Sequence, residues 1–224
     1  NILNKKIDQK FTLLDIGAAN GINLRWNIID KKINQILVEP HNASADELKK
    51  HGYGVIETLL SDQDNKMVYF YETKKPMLSS IFEPNFNYLS QFKNVDRFSV
   101  IKKKQLKTMT LNTIFSKQKL INPNFIKIDT EGSELEILNG ANELLKNDTL
   151  FGLELETSLF EIREGQPLIY DIQNYLKKFD FKLIDFINIV RWEKNNFRHQ
   201  GQPHIIDCLF IKNEKKIINA YKNK

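Results

Sequence analysis

Apolar and polar positions alternate along this chain in blocks that predict strands and helices in turn. Phe11 to Ile16 reads as a buried strand, ending in Asp15-Ile16-Gly17. A helix is predicted from about Asn20 to Ile29. Gln35 to Glu39 is a second strand, stopped by Pro40. Ala43 to Lys50 is a helix closed by His51-Gly52, and Val55 to Leu60 is a third strand. Met67 to Tyr71 alternates, as a hairpin or edge strand does after the Asp62–Asn65 turn. Residues 74 to 96 have no period. They hold Pro76, Ser79, Ser80, Phe82, Pro84, Phe86 and Tyr88, and a stretch this long is expected to be functional or disordered.

The second half repeats the alternation. Phe98 to Ile101 reads as a short strand and Leu111 to Phe115 as a short helix. Phe125 to Asp129 is a strand after the Asn122-Pro123-Asn124 break. Ser133 and Glu136 have capping-box spacing, and Leu135, Leu138 and Leu145 mark the buried face of the helix they open. Leu150 to Glu156 is a strand and Leu168 to Phe179 an amphipathic helix. Phe181 to Phe186 and Asp207 to Ile211 complete a sheet. Strands that alternate with helices predict an α/β fold, with a parallel sheet and helices on its faces. One domain is expected over 1–224, with a core at about 11–212 and a basic tail at 213–224.

Composition narrows the class. With 41% hydrophobic and 27% charged residues among 224, the chain reads as an ordinary globular protein. No apolar run reaches the ~20 residues of a membrane span, and no signal peptide is recognised at the start. The chain opens on Asn, so a preceding segment stays open. The single cysteine, Cys208, excludes an intrachain disulfide and fits a reducing, cytoplasmic setting. Net charge is +5 with a pI near 9.0. The lysines are spread along the chain, with short runs at Lys102-Lys103-Lys104 and Lys215-Lys216, so no nucleic-acid partner is expected.

The candidate cofactor loop is Asp15-Ile16-Gly17-Ala18-Ala19-Asn20-Gly21, at the end of the first strand. Small residues there let a ligand approach the backbone, and a following helix offers free N–H groups. The middle glycine of G-x-G-x-x-G is missing, which disfavours a nicotinamide dinucleotide. A plain tight turn is the alternative. Glu39 ends the second strand 22 residues beyond Gly17, where an acid accepts both hydroxyls of a ribose. A solvated strand-end acid would look the same. Ser61 and Asp62 close the third strand, as an adenine contact or as a turn.

These segments together resemble the FkbM family of methyltransferases. The resemblance rests on Asp15-Ile16-Gly17-Ala18, Val38-Glu39-Pro40, the Ser79-Ser80 pair, and Phe125-Ile126-Lys127-Ile128-Asp129-Thr130-Glu131-Gly132-Ser133-Glu134 with the helix that follows. Glu154 and the final Asp207-Cys208-Leu209-Phe210 also fit. The family usually has Asn directly after Gly-Ala, where this chain has Ala19 and then Asn20, and Leu-Asp where this chain has Leu111-Asn112. The resemblance implies a Rossmann-like class I methyltransferase sheet, seven-stranded and mostly parallel with an antiparallel last strand. It implies S-adenosylmethionine as cofactor, contacted by Asp15, Gly17, Ala18, Asn20, Gly21, Glu39, Ser61, Asp62, Ser80 and Asp129. The implied acceptor is a hydroxyl on a sugar, glycan or small natural product.

Methyl transfer to a hydroxyl is an in-line displacement that needs alignment above all and gains from a base. Candidate catalytic groups gather at strand ends: Asp129, Glu131, Glu154 and Glu156, with His204 before the last strand. The carboxylates are expected to orient the acceptor without a metal. Ion pairs with Lys127 or Arg163 are the competing account, and a Mg²⁺ or Ca²⁺ site a further one. The 187–204 connection, with Arg191, Trp192, Arg198 and His199, is a candidate acceptor contact, and residues 74–96 are read as a mobile lid. The alternatives in function are a catalytically silent cofactor-binding domain and an RNA methyltransferase. The oligomeric state is left open.

Overall fold

The computed structural model describes residues 11–19, 21, 26, 33–195 and 201–222. The expected helix at about 20–29, Asn20, Arg198 and His199 lie outside the described residues. The main sheet has seven strands: β1 (Phe11–Ile16), β2 (Ile33–Val38), β3 (Val55–Ile56), β7 (Phe125–Ile128), β8 (Gly152–Ser158), β9 (Phe181–Trp192) and β10 (Gln202–Lys212). Their order is β3-β2-β1-β7-β8-β10-β9. Neighbours from β3 to β8 are parallel, and β10 runs antiparallel to both β8 and β9. The expected α/β class and the antiparallel last strand are both present.

The central strands β1, β7 and β8 are rich in apolar residues and buried along most of their length. One face carries Leu14, Ile16, Ile126, Ile128, Leu153 and Leu155. It packs on α3 (Leu111–Gln118), α4 (Glu134–Asn139), α5 (Asn142–Lys146) and α6 (Ile169–Lys177) through Ile114, Leu138, Leu145 and Ile172. The other face packs on α1 (Asn42–Lys50), where Leu37 meets Leu48 and Ala18.

Several elements depart from the sequence reading. The third strand splits: β3 joins the main sheet, while β4 (Leu59–Leu60) pairs with a second sheet. That sheet, ordered β4-β6-β5, is built on an antiparallel ribbon of β5 (Met67–Thr73) and β6 (Val100–Met109). The expected short strand at 98–101 is thus the start of a ten-residue one. The capping box does not form. Ser133 Oγ donates to Thr130 Oγ1 at 2.9 Å, and Ser133 makes no side-chain cap bond. The helix it opens breaks at Gly140, where a Cβ would stand 2.2 Å from the Ser61 carbonyl oxygen. Leu145 is therefore on a second helix. β9 runs six residues past its expected end, and the tail forms α7 (Glu214–Lys222).

Residues 74–96 are organised by anchors, not by a repeat. They contain a 3₁₀ turn at Pro76–Leu78 and α2 (Phe86–Leu89). Ser80 pairs with Tyr71 through both backbone bonds, and Asn85 Nδ2 donates to the carbonyl of Glu161. Leu89, Phe92 and Phe98 form a second core with Ile162, Trp192 and Ile205. No helix among the described residues is long and apolar enough to cross a membrane.

Candidate active site

A cavity of about 360 Å³ opens at the carboxyl ends of β1, β2 and β7, where ligands gather in open α/β sheets. Its floor includes Gly17, Ala19, Glu39, Asp129, Glu131 and Glu156. The β5–β6 ribbon closes one side with Phe70, Glu72, Thr73 and Ile101. Its size falls in the range of small-molecule sites.

The β1 loop turns tightly. Gly17 N–H donates to the Val38 carbonyl at 3.0 Å, and Gly21 N–H to that of Ala18 at 2.8 Å. Gly17 has φ +80°, and a Cβ there would fall 1.9 Å from the Asp129 carbonyl oxygen. Both facts require glycine. Glu39, 4% exposed, accepts the N–H of His41 at 2.8 Å and that of Ala19. Burial pushes its carboxyl up, and the two N–H groups pull it back. The acid at the end of β2 is thus tied to the loop that follows β1.

The loop after β7 is wound around Glu134. One carboxylate oxygen accepts the Thr130 N–H and hydroxyl, each at 2.9 Å, and the Gly132 N–H at 3.3 Å. This holds Glu131 at φ +60° and Gly132 at +108°. Burial outweighs these bonds and lifts the Glu134 carboxyl to about 7. Arg163, 1% exposed, pairs with Glu131 and donates to the Leu78 carbonyl at 3.2 Å. Ser80 Oγ donates to the Glu131 carbonyl at 2.7 Å. Glu131 is thereby fixed between the 74–96 segment and Arg163.

The acids share one face of the sheet, since Lys127 lies opposite both Asp15 and Glu154, and Asp207 opposite Glu156. Lys127 reaches Asp129 at 3.0 Å and Asp15 at 3.7 Å. Asp15, almost fully buried, is lifted to about 6 by burial despite Lys127. The Glu156 carboxyl is raised well above its ordinary range by burial and then by Glu131, Asp129 and Glu134.

The structure brings Gly17, Glu39, Asp129, Glu131 and Glu156 onto one cavity. Asp15, Ala18, Ser80 and Glu154 are buried and, like Gly21, are not among the residues that line it. Ser61 and Asp62 continue from the lining residue Leu60 but bond each other and Lys66 instead. His204, expected beside the acceptor, is not among the residues that line the cavity. It is fully buried between Trp192 and Phe92, each with its ring centre at 4.4 Å. Nδ1–H donates to the Gln202 carbonyl at 2.8 Å, and Nε2 accepts from Tyr88 at 3.0 Å. Burial pushes its pKa down. Both ring nitrogens serve packing. The two cations named as ion-pair partners do engage acids, Lys127 taking Asp15 and Asp129, and Arg163 taking Glu131.

The sequence reading gave no site role to Thr130 or Ser133, which line the cavity, nor to the ribbon. Glu134 stood in the motif, but its part in the loop needs a short carboxylate reach that spacing alone does not reveal. No group of three or more His, Cys, Asp or Glu among the described residues is arranged to hold a metal ion.

The sheet order and the strand-end cavity define a Rossmann-like α/β protein of the methyltransferase type. The family model of the methyltransferase FkbM domain matches residues 15–183, and the chain belongs to that family. The solved structure of the FkbM methyltransferase from Methylobacillus flagellatus KT is similar with a TM-score of 0.53 at 16% identity. The match covers 93% of this chain and 45% of that one, so this chain spans less than half of that protein's length. The precorrin-6y C5,15-methyltransferase of Geobacter metallireducens GS-15 is similar with a TM-score of 0.46 at 12% identity, over 93% of this chain and 82% of that one. No curated protein matches the sequence.

Proposed function

We propose that this chain is an S-adenosylmethionine-dependent O-methyltransferase acting on a hydroxyl of a sugar, glycan or small natural product. One observation carries the reading. The glycine loop and the β2 acid expected to hold a nucleoside converge on the same cavity as Asp129, Glu131 and Glu156. The donor set fits that cofactor. Glu39 offers carboxylate oxygens for vicinal hydroxyls, and Gly17 and Ala19 line the cavity beside it with little side-chain bulk.

The bound cofactor supplies a methyl group on a sulfonium, ready for displacement. The chain's own residues do the rest. Glu39 and the Gly17 loop fix the donor, which accounts for most of the rate through alignment. Asp129 and Glu131, which line the same cavity, would present carboxylates to a cationic donor held there. Glu156, whose carboxyl is raised well above its ordinary range by burial and its acidic neighbours, is the group that would receive the acceptor's proton at a carboxylate oxygen. No metal takes part in this reading.

Transfer of labelled methyl from S-adenosylmethionine to glycan and small-molecule acceptor panels tests it. Glu156→Gln should keep donor affinity, it and Asp129→Asn should each lose about 10²–10⁴-fold in turnover, and EDTA should leave the wild type active. Full turnover in both variants would move the chemistry to other groups. Loss with EDTA, restored by a divalent ion, would overturn the metal-free form.

A further inference from the structure

Counted as cations, the lysines are spread along the chain. Counted as net charge, they are not. Lys and Arg number 33 against 28 acids in all, while the stretch from Met67 to Met109 has eight against three. The ribbon and the segment between its strands therefore hold the entire net charge, and the rest of the chain is neutral. This stretch stands at the cavity mouth.

The same place exposes large apolar side chains. Ile101 is 67% exposed and Met77 49%, and both line the mouth. Val100 beside them is 38% exposed. Two short sequences meet there, Lys74-Lys75-Pro76-Met77 and Val100-Ile101-Lys102-Lys103-Lys104. They are joined by Thr73 opposite Val100, and by Lys74 N–H on the Ser99 carbonyl at 2.9 Å. Lys104 pairs with Glu72, and Lys103 Nζ lies 4.1 Å from the Tyr69 ring centre and 4.9 Å from that of Tyr71. Lys102 makes no ion pair among the described residues. Apolar tips and a cation cluster on one ribbon match the interface of a bilayer, where apolar groups enter and lysines meet anionic headgroups.

We propose that the cavity mouth docks on a bilayer surface containing anionic lipids and, resting on the methyltransferase reading, takes its acceptor from that surface. A nucleic-acid track explains the lysines but leaves Ile101, Met77 and Val100 without a role. Lipid gives both sets a partner.

Sedimentation of the full chain with vesicles tests the surface without any turnover, so its failure is separate from failure of the methyltransferase reading. The chain should partition onto phosphatidylcholine vesicles that contain one-third phosphatidylglycerol and not onto pure phosphatidylcholine. It should be released in roughly 1 M salt. Lys102→Glu with Lys103→Glu should weaken partition by at least about fivefold per lysine with unchanged affinity for S-adenosylhomocysteine. Ile101→Ser should weaken it further with an unchanged melting temperature. No partition by the wild type at about 0.1 M salt overturns the proposal. So does partition that ignores Ile101→Ser and is abolished by single-stranded RNA, which would make the rim a polyanion site.

Discussion

The Asp129 carbonyl oxygen lies where the Cβ of any residue other than glycine at position 17 would have to go, at 1.9 Å. The loop after β1 and the loop after β7 are therefore in backbone contact, and the two sides of the cavity that they line are positioned together. Gly17→Ala must open that contact and also adopt φ +80°, which costs a side-chain-bearing residue ~1 kcal/mol or more before any clash. The variant should lose at least about 2 kcal/mol of stability, together with affinity for S-adenosylhomocysteine. Thermal unfolding and calorimetry check this, and a wild-type melting temperature would show that the loops are not locked.

Arg163 is the fully buried partner of Glu131, whose side chain is only 14% exposed. Removing one member of such a pair leaves an uncompensated buried charge, a loss of about 3–5 kcal/mol. Arg163→Met should therefore be strongly destabilised. Arg163→Met with Glu131→Gln should recover much of the loss while remaining inactive. A double variant no more stable than the single one, measured by denaturant unfolding, would contradict the pairing.

Glu134 supplies a pH signature. Its carboxyl is raised in the folded state to about 7 from an ordinary 4.5, so the folded protein holds that proton more tightly than the unfolded chain. The resulting stability is full below about pH 4.5 and is lost as pH rises toward 7. Glu134→Gln keeps an acceptor oxygen for Thr130 and Gly132 and has no proton to lose. The melting temperature of the wild type should fall relative to that of Glu134→Gln between pH 5 and 8. Parallel curves would mean that Glu134 is ionised throughout.

The central strands were legible because they are short, apolar-rich runs bounded by turn residues, broken only by Thr12 and Asp15 in Phe11–Ile16 and by Lys127 in Phe125–Ile128. β6 was not, because its exposed Lys102-Lys103-Lys104 has no apolar period and the strand is defined by pairing with β5. The split at Gly140 was hidden for a similar reason, since the obstacle is the Ser61 carbonyl, far away in sequence. In the site, Gly17, Glu39, Asp129 and Glu131 were legible because each follows directly from a strand end. His204 misled because a histidine beside Gly201, Gln202 and Pro203 reads as exposed loop, whereas Phe92, Phe160 and Trp192 arrive from distant segments to enclose it.

Glu39 carries the central claim, that the β2 acid and the Gly17 loop hold the nucleoside of a methyl donor. Its hydrogen bonds to that ligand would be charge-assisted, worth ~1.5–3 kcal/mol, or roughly a 10- to 100-fold change in affinity. Calorimetric titration of S-adenosylhomocysteine into the wild type and into Glu39→Ala measures it directly. The account predicts saturable binding to the wild type and binding 10- to 100-fold weaker to the variant. No binding to the wild type, or equal affinity in both, would contradict it.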